Sequence, residues 1–490
     1  MKKNAKALIG CAAALVVAGG AYAAVMLTGG DEATDTSSSD VTSVIDEASV
    51  PTALFAYDKA DVEYVSVSDG QNVLFKGYPD GKDEDGNILF TIEGIEKLDV
   101  NRTLTASLLT RASELQSDST AEKNPADLAK YGLEKPVLEI TVKTGKEEKT
   151  ILVGDASPVD GETYCMEKGG DAVYLASTNA LSVFMNQKEN FISTTLLEAP
   201  AEDAYPKIES VNVDRADLDY DILIEYDKSA DEGDTTSGSL ATHYMTQPVF
   251  AYLDAEKSQT TTHGMFGLTA KSIIAACPDE DTIAGTGLAE PFCTVTMKTD
   301  EQGEHVLKIG DKLELDGASY YAVTFDDNDV IYAVSADDLV WTTVSPGDIT
   351  SRLIFGVYVW DIGKLDINVN GGESVSFKGS GTGKDDYVVT KNGEDCDSER
   401  FRKFYTFLLE TSAEEFVLDE EPSGDPIVSI ELETQNGRTK QDIDFYESDG
   451  KMVLISVNGS PCFKCRRAYV DLLIENLEKF DTAEEFVMNW

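Results

Sequence analysis

A chain of 490 residues that carries 40 basic against 90 acidic side chains has a net charge of −50. Such a surface repels phosphate backbones and anionic bilayers, which argues against a nucleic-acid partner. The 42% hydrophobic and 9% aromatic content is enough for packed cores, and the length suits about three domains.

Lys2, Lys3 and Lys6 precede an apolar run from Ala7 to Leu27, and Asp31, Glu32 and Asp35 follow it. At about 1.5 Å per residue the run spans a hydrocarbon core of about 30 Å. Basic residues before the run and acidic ones after it put the rest of the chain outside the cytoplasm. Ala21-Tyr22-Ala23 has the form of a signal-peptidase site, and Leu8-Ile9-Gly10-Cys11 has the outline of a lipobox with too few apolar residues ahead of it. The apolar run continues past both, so residues 1–28 are expected to be an uncleaved transmembrane helix. Residues 29–54, which include Asp35-Thr36-Ser37-Ser38-Ser39-Asp40, read as a polar linker.

Beyond the linker one pattern occurs three times. An apolar triplet, Val62, Val65 and Val67, returns as Ile208, Val211 and Val213, and again as Ile362, Leu365 and Ile367. Recurrence at a long fixed period marks a repeated structural unit. After each triplet comes a hairpin, Val73-Leu74-Phe75-Lys76-Gly77 in the first copy and Val375-Ser376-Phe377-Lys378-Gly379 in the third. A stretch with helical spacing follows: Leu104 to Leu115, Leu268 to Cys277, and Phe401 to Leu409. Pro136, Pro291 and Pro426 then lead strands whose apolar and polar residues alternate. In the first two copies Gly132-Leu133 and Gly287-Leu288 stand ahead of that proline, and Gly154-Asp155 and Gly310-Asp311 mark the next turn. Val173-Tyr174-Leu175-Ala176-Ser177 pairs with Ile331-Tyr332-Ala333-Val334-Ser335, and a short helix closes each copy, Tyr469 to Leu477 in the third. Runs of strands separated by helices predict an α+β class: three tandem repeats of an antiparallel sheet with helices, over 55–200, 201–355 and a divergent 356–490. The second copy holds an insertion, Asp231 to Gly238.

Tyr131-Gly132-Leu133-x-x-Pro136, the Val-Gly-Asp turn and the Val-Tyr-Leu-x-Ser strand, with the basic start and single apolar segment, resemble the DUF4340 family over most of residues 60–355. The third copy lacks the Gly-Leu and Gly-Asp motifs. The resemblance implies a membrane-anchored bacterial envelope protein, often encoded beside ABC transporters similar to gliding-motility export systems. It brings no catalytic residues.

Each motif with a chemical flavour also has a structural reading. Gly379-Ser-Gly-Thr-Gly383-Lys384 has one residue too few between its glycines for a phosphate loop, and Asp385 stands where Ser or Thr is needed. Placing Gly86 at the glycine of a calcium loop puts Gly81 and Ile92 at its first and last ligand positions, so Asp80 to Glu93 reads as a turn. Asp326-Asp327-Asn328-Asp329 and Asp419-Glu420-Glu421 also read as turns. Six cysteines lie outside Cys11, enough for fifteen pairings. Cys462 and Cys465 fall on a strand, opposite Val173 and Ala176 of the first copy, and read as core substitutions that do not bond to each other. His243, His263 and His305 show no metal or triad spacing.

No catalytic, cofactor-binding or metal-ligating residue is assigned. The chain is expected to be a non-catalytic, extracytoplasmic scaffold or binding protein anchored in the cell membrane, accessory to an ABC-type exporter and in contact with its permease subunits. An extracellular carboxylate-dependent hydrolase, and a receptor for a basic ligand or divalent cation, stay open as alternatives. The triplets, Ile140, Val295, Ile430, Tyr174 and Tyr332 are expected to be buried.

Overall fold

The computed structural model describes residues 51–158, 160–202, 204–228, 242–410 and 413–489. The expected membrane segment, Cys11, most of the linker and the 231–238 insertion lie outside the described residues. Among those described, no helix is long and apolar enough to cross a membrane.

Three large sheets follow one another along the chain, all antiparallel. The first runs, edge to edge, through Ile88–Ile92, Val73–Lys82, Val62–Ser68, Leu138–Thr144, Glu148–Ala156, Glu162–Glu167, Ala172–Ser177 and Ser119–Lys123. The second is built around Ile208–Arg215 and Cys293–Thr299, the third around Ile362–Val369 and Val428–Thr434, and both keep the same order with nine strands instead of eight. A small fourth sheet pairs Thr52–Ala56 with Glu114–Ser117. Strands take 43% of the described residues and helices 20%, so the described protein is mostly β and the expected α+β class is wrong. Two of the three stretches expected to be helical, Leu104 to Leu115 and Phe401 to Leu409, do fall on helices, but short strands not expected from the sequence add to each sheet. Ser119–Lys123, Ser272–Ala276 and Glu415–Phe416 return to the far end of each sheet and pair with its last long strand.

The repeat is visible at the level of single residue pairs. Val67 faces Ile140, Val213 faces Val295 and Ile367 faces Ile430. Val62, Ile208 and Ile362 face Thr144, Thr299 and Thr434, and the register shifts one step inward of each of these pairs, at the same place in all three sheets. One extra residue, Glu63, Glu209 or Gly363, forms a bulge that increases the local twist. The threonine beyond each bulge closes the following turn: its Oγ1 receives the N–H of Glu147, Gln302 or Thr439 at 3.2, 3.0 and 3.1 Å. All nine triplet residues are at most 2% exposed, as are Ile140, Val295, Ile430 and Tyr332. Tyr174 is only half-buried.

The Gly-Leu and Gly-Asp motifs are two sides of one clasp. Leu133 N–H donates to Leu128 C=O and Gly132 N–H to Ala129 C=O, both at 3.1 Å, with Gly132 at φ +70°. This is a Schellman helix end, which needs a left-handed residue followed by an apolar one. Gly287 and Leu288 repeat it on Ala284 and Ile283. The glycine of the Gly-Asp turn then lies directly against this cap. A Cβ on Gly154 would meet Tyr131 O at 2.1 Å, and one on Gly310 would meet Thr286 O at 2.3 Å. Tyr446 and Glu447 occupy the Gly-Asp place in the third sheet, since Phe445 pairs with Val428 as Val153 pairs with Leu138. The third copy has neither motif, so neither the cap nor the glycine packed against it occurs there.

Two readings of the repeat need correction. Gly77 lies opposite Val65 while Phe377 lies opposite Leu365, so the two hairpin motifs are offset by two residues and Gly77 is not the counterpart of Gly379. In the second copy the helix is Ala255–His263, and Leu268 to Cys277 contains the edge strand Ser272–Ala276. That helix buries Ser258, Thr261 and Thr262, so its core face carries no apolar stripe for periodicity to detect. The helix that follows the first strands of each repeat, Arg102–Ser113, Ala255–His263 or Ser398–Leu409, has an Asn or Asp cap, whereas Arg467–Glu478 has no side-chain cap. Asn101 accepts Leu104 N–H, Asp254 accepts Glu256 N–H and Asp397 accepts Glu399 N–H.

Contacts divide the chain into two compact units. The first comprises the described residues of Met1–Leu196 with Thr269–Glu290 and Gly310–Ser335, and the second comprises Leu197–Leu268, Pro291–Ile309 and Ala336–Trp490. Within the second unit, repeats two and three meet at a buried polar contact, where the Gln441 amide donates to the Tyr252 hydroxyl. Within repeat three the Gln441 oxygen accepts the Gly356 N–H, and the Tyr405 hydroxyl donates to Val357 C=O at 2.6 Å.

Substitutions test the register and the glycine clasp. Ile140→Asp puts a carboxylate into a fully buried position, in place of a side chain worth about 1.5–3 kcal/mol, and should unfold the first unit. An unchanged melting temperature would show the register to be wrong. Gly154→Ala and Gly310→Ala should each cost about 1–3 kcal/mol in urea denaturation, as overpacking does, whereas Tyr446→Ala should show no such clash penalty.

Candidate functional site

A half-open groove of about 760 Å³ lies in the first repeat, within the usual range of roughly 300–1,000 Å³ for ligand sites. One wall is the strand Ile88–Ile92, and the other is the helix Arg102–Ser113 with Thr103, Thr105, Ala106, Leu109 and Thr110. Phe90, Thr91 and Leu109 are buried, so the apolar part of the lining is its floor. Asp80, Asp83, Glu96 and Asp99 stand around it against Lys59 and Arg102. The lining is therefore polar with an anionic bias.

Local bonds fix much of this lining. Asn101 caps the helix and thereby orients Arg102 and Thr103. Lys59 Nζ donates to Thr110 Oγ1 at 2.9 Å. Asp83 receives the side-chain amide of Asn87 at 3.0 Å and its backbone N–H at 2.7 Å, which hold its carboxyl below the ordinary aspartate range. Glu96 is likewise lowered, by the backbone amides of Gly94 and of Glu96 itself and by the Tyr78 hydroxyl at 2.8 Å. Both carboxylates are ionised at neutral pH. A glycosidase-type general acid requires a carboxyl shifted the other way.

The stretch Asp80 to Glu93 thus supplies part of the groove, as a turn from Asp83 to Asn87 followed by the strand Ile88–Ile92. Among the described residues no group of three or more His, Cys, Asp or Glu side chains is placed to hold a metal. The Gly379–Lys384 turn carries an anion of its own. Asp386 accepts the N–H of Thr382 at 2.9 and 3.0 Å, the Thr382 hydroxyl at 2.7 Å and the Gly383 N–H at 2.9 Å, the donors a phosphate would use. Glu420 pairs with Lys464 and accepts from Ser448, and Asn328 donates to the Tyr332 hydroxyl.

All six described cysteines are free, Cys462 and Cys465 among them. The pairings Phe445↔Ile455↔Phe463 and Val153↔Cys165↔Tyr174 place these two at the positions of Val173 and Ala176. Burial pushes the thiols of Cys165, Cys293, Cys462 and Cys465 up to about 12, so they pack as small apolar groups.

The structure brings together two of the three histidines, which their spacing did not reveal. The rings of His243 and His263 are 6.4 Å apart, with Tyr226 on His243 and Tyr205 on His263. His243 Nε2 lies 2.8 Å from Ile208 O and its Nδ1 2.9 Å from Thr242 Oγ1, which leaves no nitrogen for a metal. Burial pushes both imidazoles below the ordinary histidine value of about 6.5. In the folded chain they are neutral, while the unfolded chain takes up protons below that value. Their contribution to stability is therefore complete above about pH 6.5 and is lost as pH falls towards the depressed folded values. The melting temperature of the second unit should drop between pH 7 and pH 5, and His243→Gln with His263→Gln should flatten that drop. An unaltered slope in the double variant would show that other groups control it.

Sequence reasoning did not find the groove because its wall residues come from four separate segments. One signal was present, the nine-residue connector from Glu93 to Asn101, which is longer than its counterparts Pro248 to Asp254 and Asn392 to Asp397.

Neither a curated protein nor a solved structure matches the chain. A family profile, described as a domain of unknown function (DUF4340), matches residues 91–237 and again 244–427. Both matches begin in the third strand of a repeat, Ile88–Ile92 and His243–Gln247. The family unit is therefore offset from the sheet: it joins the second half of one repeat to the first half of the next. The two matches cover most of the chain, and the protein belongs to the DUF4340 family.

Proposed function

We propose that this protein is a non-catalytic binding scaffold, anchored in the cell membrane by its N-terminal segment, that displays its three sheets outside the cytoplasm as an accessory to an ABC-type exporter. The observation that supports it best is the correspondence between the copies. The Gly-Leu and Gly-Asp motifs, the bulge and its threonine, and the Cys462 and Cys465 positions each have a counterpart in a sister sheet and a structural task there. Chemistry confined to one copy would break that correspondence, as a catalytic residue must. The groove does differ between copies, and its lining of fixed ionised carboxylates and threonine hydroxyls suits recognition.

Affinity isolation of the full chain from gently solubilised membranes should recover a permease or an ATPase subunit. Recovery only as a free monomer would overturn the transporter assignment.

A further inference from the structure

In the second and third sheets the third strand is not the edge. Ala251–Tyr252 pairs with His243–Gln247, and Glu394–Asp395 pairs with Val388–Lys391. Each of these short strands lies in the connector that leads into the helix. In the first repeat the corresponding connector forms no such strand: Ile95 N–H turns back onto Ile92 C=O. Its end is held as in the second repeat, with Val100 bridging Ile192 and Asn101 N–H donating to Phe191 C=O as Leu253 bridges Thr350 and Asp254 N–H donates to Ile349 C=O. The first sheet therefore stops at eight strands, with Ile88–Ile92 at its edge among the described residues. That edge is one wall of the groove.

We infer that the edge strand Ile88–Ile92 takes up an extended, basic polypeptide segment of a partner as the ninth strand of the first sheet. The inference rests on the scaffold reading given above. Glu93 N–H donates to Lys76 C=O at 2.8 Å, so alternation along an antiparallel strand turns the backbone N–H and C=O of Phe90 away from the sheet. Edges left open in soluble proteins usually carry Lys, Pro or a bulge against unwanted pairing. Ile-Leu-Phe-Thr-Ile carries no charge and no proline, and the register shift against its neighbour falls between Pro79 and Lys82, at the strand's start. Addition of a strand satisfies such an edge through main-chain bonds, and side-chain pockets then set specificity. Here Asp80, Asp83, Glu96 and Asp99 supply the selection, and they favour cationic side chains. A second copy of this chain, at −50, is repelled, and so is the acidic linker with Asp31, Glu32, Asp35 and Asp40.

The test uses the full chain and a synthetic octapeptide of alternating lysine and valine. Its controls are the glutamate–valine counterpart and a lysine–valine peptide with alternate backbone nitrogens methylated. The lysine peptide should bind and slow amide hydrogen exchange within Ile88–Ile92. Methylation should weaken binding at least tenfold, and the glutamate peptide should not bind. Glu96→Gln with Asp99→Asn, both at exposed positions, should weaken binding at least tenfold without changing the melting temperature. Absence of binding, equal affinity for the methylated peptide, or protection elsewhere would overturn the inference. Protection of the same amides without peptide would also overturn it, by giving the edge to a second copy if the protein is a dimer and to its own linker if it is a monomer. A transporter partner that the groove variants still capture would remove the edge from the account and leave the scaffold. Peptide binding with no transporter partner would do the reverse.

Discussion

Everything in this protein depends on one antiparallel pairing that is made three times. The apolar triplet strand and the Pro-led strand lie side by side at the centre of each sheet, and each carries a meander on its outer side. Side chains alternate along a strand, so a slip of one residue at this seam would turn every buried residue of both meanders outward. The bulge at Glu63, Glu209 and Gly363 and the threonine-closed turn after it pin the seam. A fixed register at the centre lets the outer strands drift: the first and third hairpins are offset by two residues, and the third copy has dropped the glycine clasp. A two-residue offset keeps each side chain on its face.

The edges, by contrast, carry no such constraint. An outer strand pairs on one side only, so a connector can add to it or leave it without disturbing the core. That freedom separates the first sheet from its sisters. The nine residues between Ile92 and Arg102 form no strand of their own, and the strand they leave behind becomes the wall of a groove. In the second and third repeats the connector adds a two-residue strand, Ala251–Tyr252 or Glu394–Asp395, to the strand it leaves.

The histidine and cysteine positions illustrate the same division between centre and edge. Cys293, Cys462 and Cys465 replace aliphatic residues at seam or strand positions where burial makes a thiol inert. His243 and His263 meet because a strand and a helix of one repeat converge, and both nitrogens of His243 are spent on backbone and hydroxyl partners. These cysteines and His243 are thus held as packing elements.

The sequence alone determined the threefold repeat, the central strands and their buried faces, because a half-buried strand writes its register as alternating residues that any copy must preserve. It also kept Cys462 apart from Cys465, which are both free. It did not determine the class of the fold. The short returning strands Ser119–Lys123 and Ser272–Ala276 pair with partners more than forty residues away, and their side chains carry no local signature of that pairing. The polar helix Ala255–His263 escaped for a related reason, since its buried face is made of hydroxyls. Only the tertiary structure decided where each connector goes, which histidines meet and which edge stays open, because these outcomes depend on what chain segments far apart in sequence bring to one place.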